Sequence, residues 1–203
     1  MEGKLVGKER QKVMLIVSFA FILPVLLICL DLIPFSWRFY LLVLAAVAIL
    51  ALARLYRFSL VELGFTKQHL GTSLKAIALP TLASALLMLI YYIIQGPRID
   101  NSAYKWTFYI FFVGVSSPVQ EFLYRGFLFS IFARAKLNNW SQILFSALLY
   151  SFVHLIYRDL PTLLSTFIIG MFWGYHYAKY RNLYSIIISH SLLGAIAILI
   201  GLV

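Results

Sequence analysis

Apolar residues run through this chain in blocks of about 17 to 25, the length one helix needs to cross hydrocarbon, with short polar stretches between them. Seven such blocks can be laid out, at 13–33, 36–53, 74–95, 106–132, 140–157, 161–180 and 184–202. No water inside a bilayer can satisfy a backbone N–H or C=O, so each block is expected to be a spanning helix. Pro24, Pro80 and Pro118 fall inside blocks, where each frees a carbonyl and marks a place to expect a kink. The polar stretch from Arg54 to Lys75, with Glu62, Gly64, Lys67, His69 and Gly71, reads as an interfacial connector. The expected fold class is an all-α, polytopic transmembrane helical bundle of about seven spans.

Composition agrees. Of 203 residues, 63% are hydrophobic and 12% charged, against roughly 25% charged in a soluble domain; mean hydropathy is +0.92. The net charge of +10 could suggest nucleic acid, but the basic residues are scattered through short loops, so no nucleic-acid partner is expected. They read better as topology signals. Lys4, Lys8, Arg10, Lys12, Arg54, Arg57, Lys67, Lys75, Arg134, Lys136, Lys179 and Arg181 fall on one side of the membrane, and Arg38, Arg98, Lys105 and Arg158 on the other. The richer side should be cytoplasmic, which puts the N-terminus in. The expected location is therefore an integral, multi-pass position in a bacterial inner membrane. The basic N-terminus imitates a signal peptide, but its long apolar run has no Ala-x-Ala cleavage site after it and reads as a retained first helix. Cys29 is the only cysteine, so no internal disulfide forms; its weak likeness to a lipoprotein box is spoiled by the bulky Ile28. Trp37, Trp106, Trp140 and Trp173 lie near expected helix ends, as interfacial anchors do. There is no internal repeat and no low-complexity tract, and nothing compels an oligomer.

Candidate chemistry sits in the last four spans. The fourth reads Ser116-Ser117-Pro118-Val119-Gln120-Glu121-Phe122-Leu123-Tyr124-Arg125-Gly126. A charge at bilayer depth costs on the order of 2.5 to 3.5 kcal/mol, so such residues usually face a polar cavity. Glu121 and Arg125 are one turn apart, an orientation that favours an ion pair. Gln120 is displaced by about 100 degrees, close enough to address the same cavity. The fifth span carries Tyr150 and His154, and the seventh Ser189, His190, Ser191 and Gly194. One carboxylate and two imidazoles in a low-dielectric pocket support two chemistries. Glu121, His154 and His190 can hold a divalent ion such as zinc with one position left for water. Alternatively, without metal, Glu121 acts as general base on water while a histidine stabilises the oxyanion. Arg125 would orient Glu121, and Gln120 would line the cavity. The plain alternative is structural: the Glu–Arg pair locks helices, and a buried histidine bonds a backbone carbonyl. His176 is expected at the interface and His69 in the connector, both outside the site, while Asp31 and Asp159 mark the membrane boundary.

Gln120 to Gly126 resembles the first motif of the CPBP family, the CAAX proteases and bacteriocin-processing enzymes also called Abi proteins. That motif is Glu-Glu-x-x-x-Arg, often followed by Gly. Tyr150 to His154 resembles the second motif, an aromatic residue ahead of a His, with Tyr in place of the usual Phe. His190 matches the start of the last motif, His-x-x-x-Asn, and Gly170 to Tyr175 is similar to the glycine-spaced helix between the two histidines. The similarity covers roughly Pro118 to Gly194. It implies an intramembrane endopeptidase acting on a membrane-associated or lipid-modified protein or peptide, with Glu121, Arg125, His154 and His190 at motif positions, and with either zinc or no cofactor. Domain organisation follows as a single unit over 1–203: three spans and a connector in 1–105, and four spans carrying the catalytic core in 106–203.

Two positions depart from the pattern. Gln120 stands where the family has its first Glu, and an amide is no general base near neutral pH; Gly194 stands where it has Asn and offers no oxyanion donor. The competing reading is a catalytically inactive relative that binds a membrane partner as an immunity or scaffold protein. A geometric tension accompanies both: Glu121 and His190 fall near mid-membrane, but His154 near the outer end of its span. Either Ile131 to Asn139 lie along the interface and the fifth span begins deeper, or the cavity extends to that side.

Overall fold

The computed structural model describes residues 2–203, with side chains from residue 6 onward; the Lys4 side chain used in the charge count lies outside the described residues. Seven helical runs appear in the expected order and no strand is present among the described residues. Here α1 is 2–29, α2 is Arg38–Leu55 after a 3-10 turn at Phe35–Trp37, and α3 is Leu70–Gln95. Then α4 is 106–134, α5 is Asn139–Val153 continued by a 3-10 turn at His154–Tyr157, α6 is Leu160–Tyr180 and α7 is Leu183–Leu199. Four stretches are long and apolar enough to cross a membrane, Val6–Cys29, Phe35–Leu55, Leu70–Gln95 and Asn139–Tyr157, and Leu183–Leu199 is a shorter apolar helix. Large apolar side chains such as Leu55, Leu79 and Ile93 stand mostly outside the bundle, which in water would be unfavourable and in lipid is favoured. The chain is an integral membrane protein.

Two of the three prolines leave a visible mark. Wide π-helical turns at Val17–Ile22 and Phe112–Ser116 lie just before Pro24 and Pro118, which lack the N–H that an unbroken ladder needs. A second π turn in α4, Phe122–Phe127, follows Glu121 directly and holds Arg125. Pro80 sits in α3 with no such turn.

Helices α5 and α6 are brought together by small residues. A Cβ added at Gly170 would stand 3.3 Å from the Ala147 Cα and 3.2 Å from the Tyr150 ring, and one at Gly174 would stand 3.2 Å from Ile143. The four-residue glycine spacing lets two backbones approach closely, as membrane helices without a hydrophobic drive between them require. Polar groups supply the rest of the glue. Ser146 donates to the Tyr124 carbonyl at 2.7 Å, Ser191 donates to Ser117 at 3.0 Å, and the Thr81 and Ser189 hydroxyls meet at 2.7 Å.

Some expectations are corrected. Helix α4 continues to Arg134 with Ile131 and Phe132 buried, and α5 starts at Asn139 behind its Asn138 cap, so 131–139 does not lie along the interface. The connector does not merely rest on the surface: Leu63 is buried, the Glu62 carbonyl accepts from Ser130, and the Gly64 carbonyl accepts from the Leu183 N–H. His176 is buried rather than interfacial, its Nε2 at 2.8 Å from the Ser73 hydroxyl. Replacing Gly170 by Leu is expected to push α5 from α6 and destabilise the bundle by about 1–3 kcal/mol, read as a lower unfolding temperature in detergent; an unchanged temperature would show that the close approach is not needed.

Candidate active site

The centre of the bundle is a charge cluster. Glu121 and Arg125 are both fully excluded from solvent, with the Arg125 guanidinium 3.0 Å from Glu121 Oε1. The same Oε1 accepts from His190 Nδ1 at 2.7 Å. Arg125 also donates to the Gly170 carbonyl at 3.2 Å and lies 4.5 Å above the Tyr150 ring. One carboxylate therefore ties α4 to α7, and its partner arginine ties α4 to α5 and α6.

Because a carboxylate can only accept, His190 carries its proton on Nδ1, and its Nε2 is turned toward the Tyr150 hydroxyl at 3.3 Å. Trp173 stacks on the imidazole with ring centres 4.5 Å apart. Its indole N–H is held by Ser189 at 3.0 Å. Trp173 is 2% exposed, against 55%, 71% and 68% for Trp37, Trp106 and Trp140. The anchor role expected of four tryptophans thus fits three, and the fourth is a wall of the site.

His154 lies in the 3-10 turn that ends α5, and its Nδ1 donates to the Tyr150 carbonyl at 2.7 Å. A carbonyl has no proton to give, so in the neutral ring the lone pair sits on Nε2. Tyr150 thus governs both histidines, one through its backbone and one through its hydroxyl.

A cavity of about 390 Å³ joins these groups. Gln120, Tyr150, His154, Trp173, His190 and Gly194 all line it, among apolar walls from Phe39, Phe108 and Phe112. A smaller cleft of about 60 Å³, bounded by Arg38, Leu42 and Ile156, also reaches Gln120 and His154. Glu121 and Arg125 line neither of these spaces. Glu121 stands behind this wall, its Oε1 shared by Arg125 and His190 and its Oε2 without a protein partner. Gln120 is the member of the pair that faces the cavity, its amide donating to Ser116 at 2.9 Å. The tension over depth resolves by the second route, since the cavity extends along the bundle to His154.

The zinc expectation does not fit this donor set. Glu121, His154 and His190 do not converge, and among the described residues no group of three His, Cys, Asp or Glu side chains could hold a metal. His190 Nδ1 is held by Glu121 and His154 Nδ1 by a carbonyl, so Nε2 is the ring nitrogen each would offer to any ligand. Two carboxylates, Asp100 and Asp159, stand near the mouth. Both are held below the ordinary carboxylate value, Asp100 by hydrogen bonds from Ser102 and Asp159 by the Thr162 hydroxyl, with further help from the Thr162 N–H and Arg98. They are ionised at neutral pH.

Gly194 is explained by its neighbour. A Cβ there would come within 2.5 Å of the Phe112 ring, so the space a side chain would take is filled from α4. The sequence picks out Ser189 but not Phe112, Trp173 or Thr81 as parts of the site, and Thr81 is signalled only by its polar identity in an apolar block.

The fold is a helical membrane bundle in which two histidines line one cavity and a buried Glu–Arg pair stands directly behind it. Residues 100–196 match the family model described as Rce1-like, type II CAAX prenyl endopeptidase Rce1-like. The match runs from the loop before α4 into α7 and takes in Gln120, Glu121, Arg125, Tyr150, His154, Trp173, His190 and Gly194, bearing out the resemblance read from the motifs; the family is one of proteases. No curated protein and no solved structure matches significantly.

Arg125→Ala would leave a carboxylate buried with half its compensation, and truncating one partner of a buried pair costs about 3–5 kcal/mol. The variant is expected to show strongly reduced thermal stability in detergent. The double variant Glu121→Gln, Arg125→Met should recover part of the loss, and no recovery would show that the charge pair is not what the arginine contributes.

Proposed function

We propose that this protein is an intramembrane endopeptidase that hydrolyses a peptide bond in a membrane-associated or lipid-modified protein or peptide, with water activated at Nε2 of His154. The observation that carries this reading is the 2.7 Å bond from His154 Nδ1 to the Tyr150 carbonyl, which commits one nitrogen and leaves the lone pair of the other beside the cavity. Gln120 cannot take a proton from water, and Glu121 is walled off, so the imidazole is the base that the geometry offers. His154 Nε2 takes a proton from water as its oxygen attacks the scissile carbonyl carbon. The same proton then passes to the departing amine nitrogen as the C–N bond breaks. The second N–H of Gln120 would meet the oxyanion, joined by the Tyr150 O–H once it turns away from His190 Nε2, its acceptor in the free site; His190, fixed by Glu121 and stacked on Trp173, holds the tyrosine in position until then.

A second reading, a catalytically inactive membrane binding, immunity or scaffold protein, is favoured by the Gln120 amide and by Phe112 filling the space beside Gly194. One assay separates the two. The purified protein is incubated in detergent with a library of membrane-anchored peptides, beside His154→Ala, Glu121→Ala, Tyr150→Phe and Gln120→Glu. Cleavage is expected, with a loss of about 10²- to 10⁴-fold in His154→Ala and about 10²-fold in Tyr150→Phe. Identical product patterns for wild type and His154→Ala would remove the enzymatic reading, and activity appearing only in Gln120→Glu would establish the binder. Metal analysis of the same sample is expected to find no stoichiometric zinc; one zinc per chain would restore the metal alternative.

A further inference from the structure

We infer that the substrate reaches this site from the extracytoplasmic side of the membrane, so that the polypeptide cut is one presented at the outer surface and not a lipid-modified terminus held in the cytoplasm. The word substrate rests on the function proposed above; the sidedness does not.

The loops fall into two faces that side-chain contacts hold together. On one face, Arg158 bonds both Asp31 and the Cys29 carbonyl at 3.0–3.1 Å. Arg98 bonds Asp159 at 2.9 Å and the Leu202 carbonyl at 2.7 Å, and Arg38 reaches the Tyr104 hydroxyl at 3.3 Å. These contacts join the ends of α1, α5 and α7 to the starts of α2 and α6 and to the 96–105 loop. On the other face, Arg10 bonds the Ala135 carbonyl at 3.3 Å, and Asn182 donates to the carbonyls of Thr66 and Gln68 at 2.7 and 3.1 Å. Those contacts join α1, the connector, the α4–α5 turn and the α6–α7 turn.

The cavity belongs to the first face. It runs from Gln120 and His190 toward Asp100, Asn101 and Thr162, and the smaller cleft at Arg38 reaches His154 from the same end. Toward the second face the bundle is closed: Leu63, Phe127, Leu128, Tyr177 and Leu183 are buried there.

Charge then assigns the faces. Among the described residues all Lys and Arg side chains apart from Arg125 sit on one face or the other, eleven with the closed end and four, Arg38, Arg98, Lys105 and Arg158, with the mouth. Of those four, Arg98 and Arg158 are already paired with Asp159 and Asp31, and Asp100 stands uncompensated at the cavity edge. Basic residues are retained in the cytoplasm during insertion, so the closed end is cytoplasmic and the mouth opens outward. A scissile bond delivered from the cytoplasm would have to pass the buried layer between the connector and Glu121.

The test uses the full chain in bacterial cells, with Cys29→Ser as background. Ala103→Cys marks the mouth loop and Gln68→Cys the connector; both positions are exposed and neither belongs to the site. A membrane-impermeant maleimide is applied to intact cells, then to permeabilised ones. Labelling of Ala103→Cys in intact cells, with loss of Gln68→Cys labelling until permeabilisation, is expected. Labelling of Gln68→Cys from outside, alone or together with Ala103→Cys, would overturn the assignment. Labelling needs no activity, so the expected pattern without peptide cleavage would count against the endopeptidase and not against the sidedness.

Discussion

One buried oxygen, Oε1 of Glu121, organises this bundle. It accepts from Arg125 within its own helix, in full exclusion from solvent, and from His190 across the bundle, whose buried ring edges the cavity. Taking three ionisable groups out of water is costly, and the cost is met only when donors and acceptors are aligned. That alignment fixes the rotation of α4 against α7. The π turns at Phe112–Ser116 and Phe122–Phe127 flank the carboxylate and adjust which side chains of α4 look inward.

The cavity is a consequence of the same frame. Arg125 reaches over Tyr150 to the Gly170 carbonyl, where the absent Cβ admits both the arginine and the α5 backbone. Tyr150 is thereby pinned between Arg125 below and the two imidazoles beside it, with ring centres 5.0 Å from His154 and 5.7 Å from His190. A hydroxyl on this ring, unlike a plain phenyl, reaches the second histidine, so Tyr150 joins two groups that the chain supplies from different helices.

Hydropathy made the helices legible because a lipid-facing and a core-facing residue are alike apolar, so every span stands out as a block. The same fact hid which face is inward. Trp173 and His176 looked like interfacial residues by their place near a helix end, yet both are buried, and the tryptophan forms part of the site. Glu121, Arg125, His154 and His190 were legible as polar interruptions. Which of Gln120 and Glu121 looks into the cavity was not, since a wide turn beside them changes the angle that an ideal helix would assign. Gly194 was read as a missing donor; the ring of Phe112 that fills its place comes from a residue 82 positions earlier, a pairing that periodicity cannot signal.

The residues at motif positions divide into two layers with different meanings. Glu121 and Arg125 form the hidden layer, and their job of holding helices together is needed by an active and an inactive protein alike. Gln120, His154 and Gly194 form the exposed layer, where water and a peptide would meet the chain. A frame that is intact beneath an altered wall is therefore no argument for activity by itself. Any activity would depend on the wall, and there on a single feature: an imidazole whose proton is committed to a backbone carbonyl, so that its lone-pair nitrogen is the one left for the cavity.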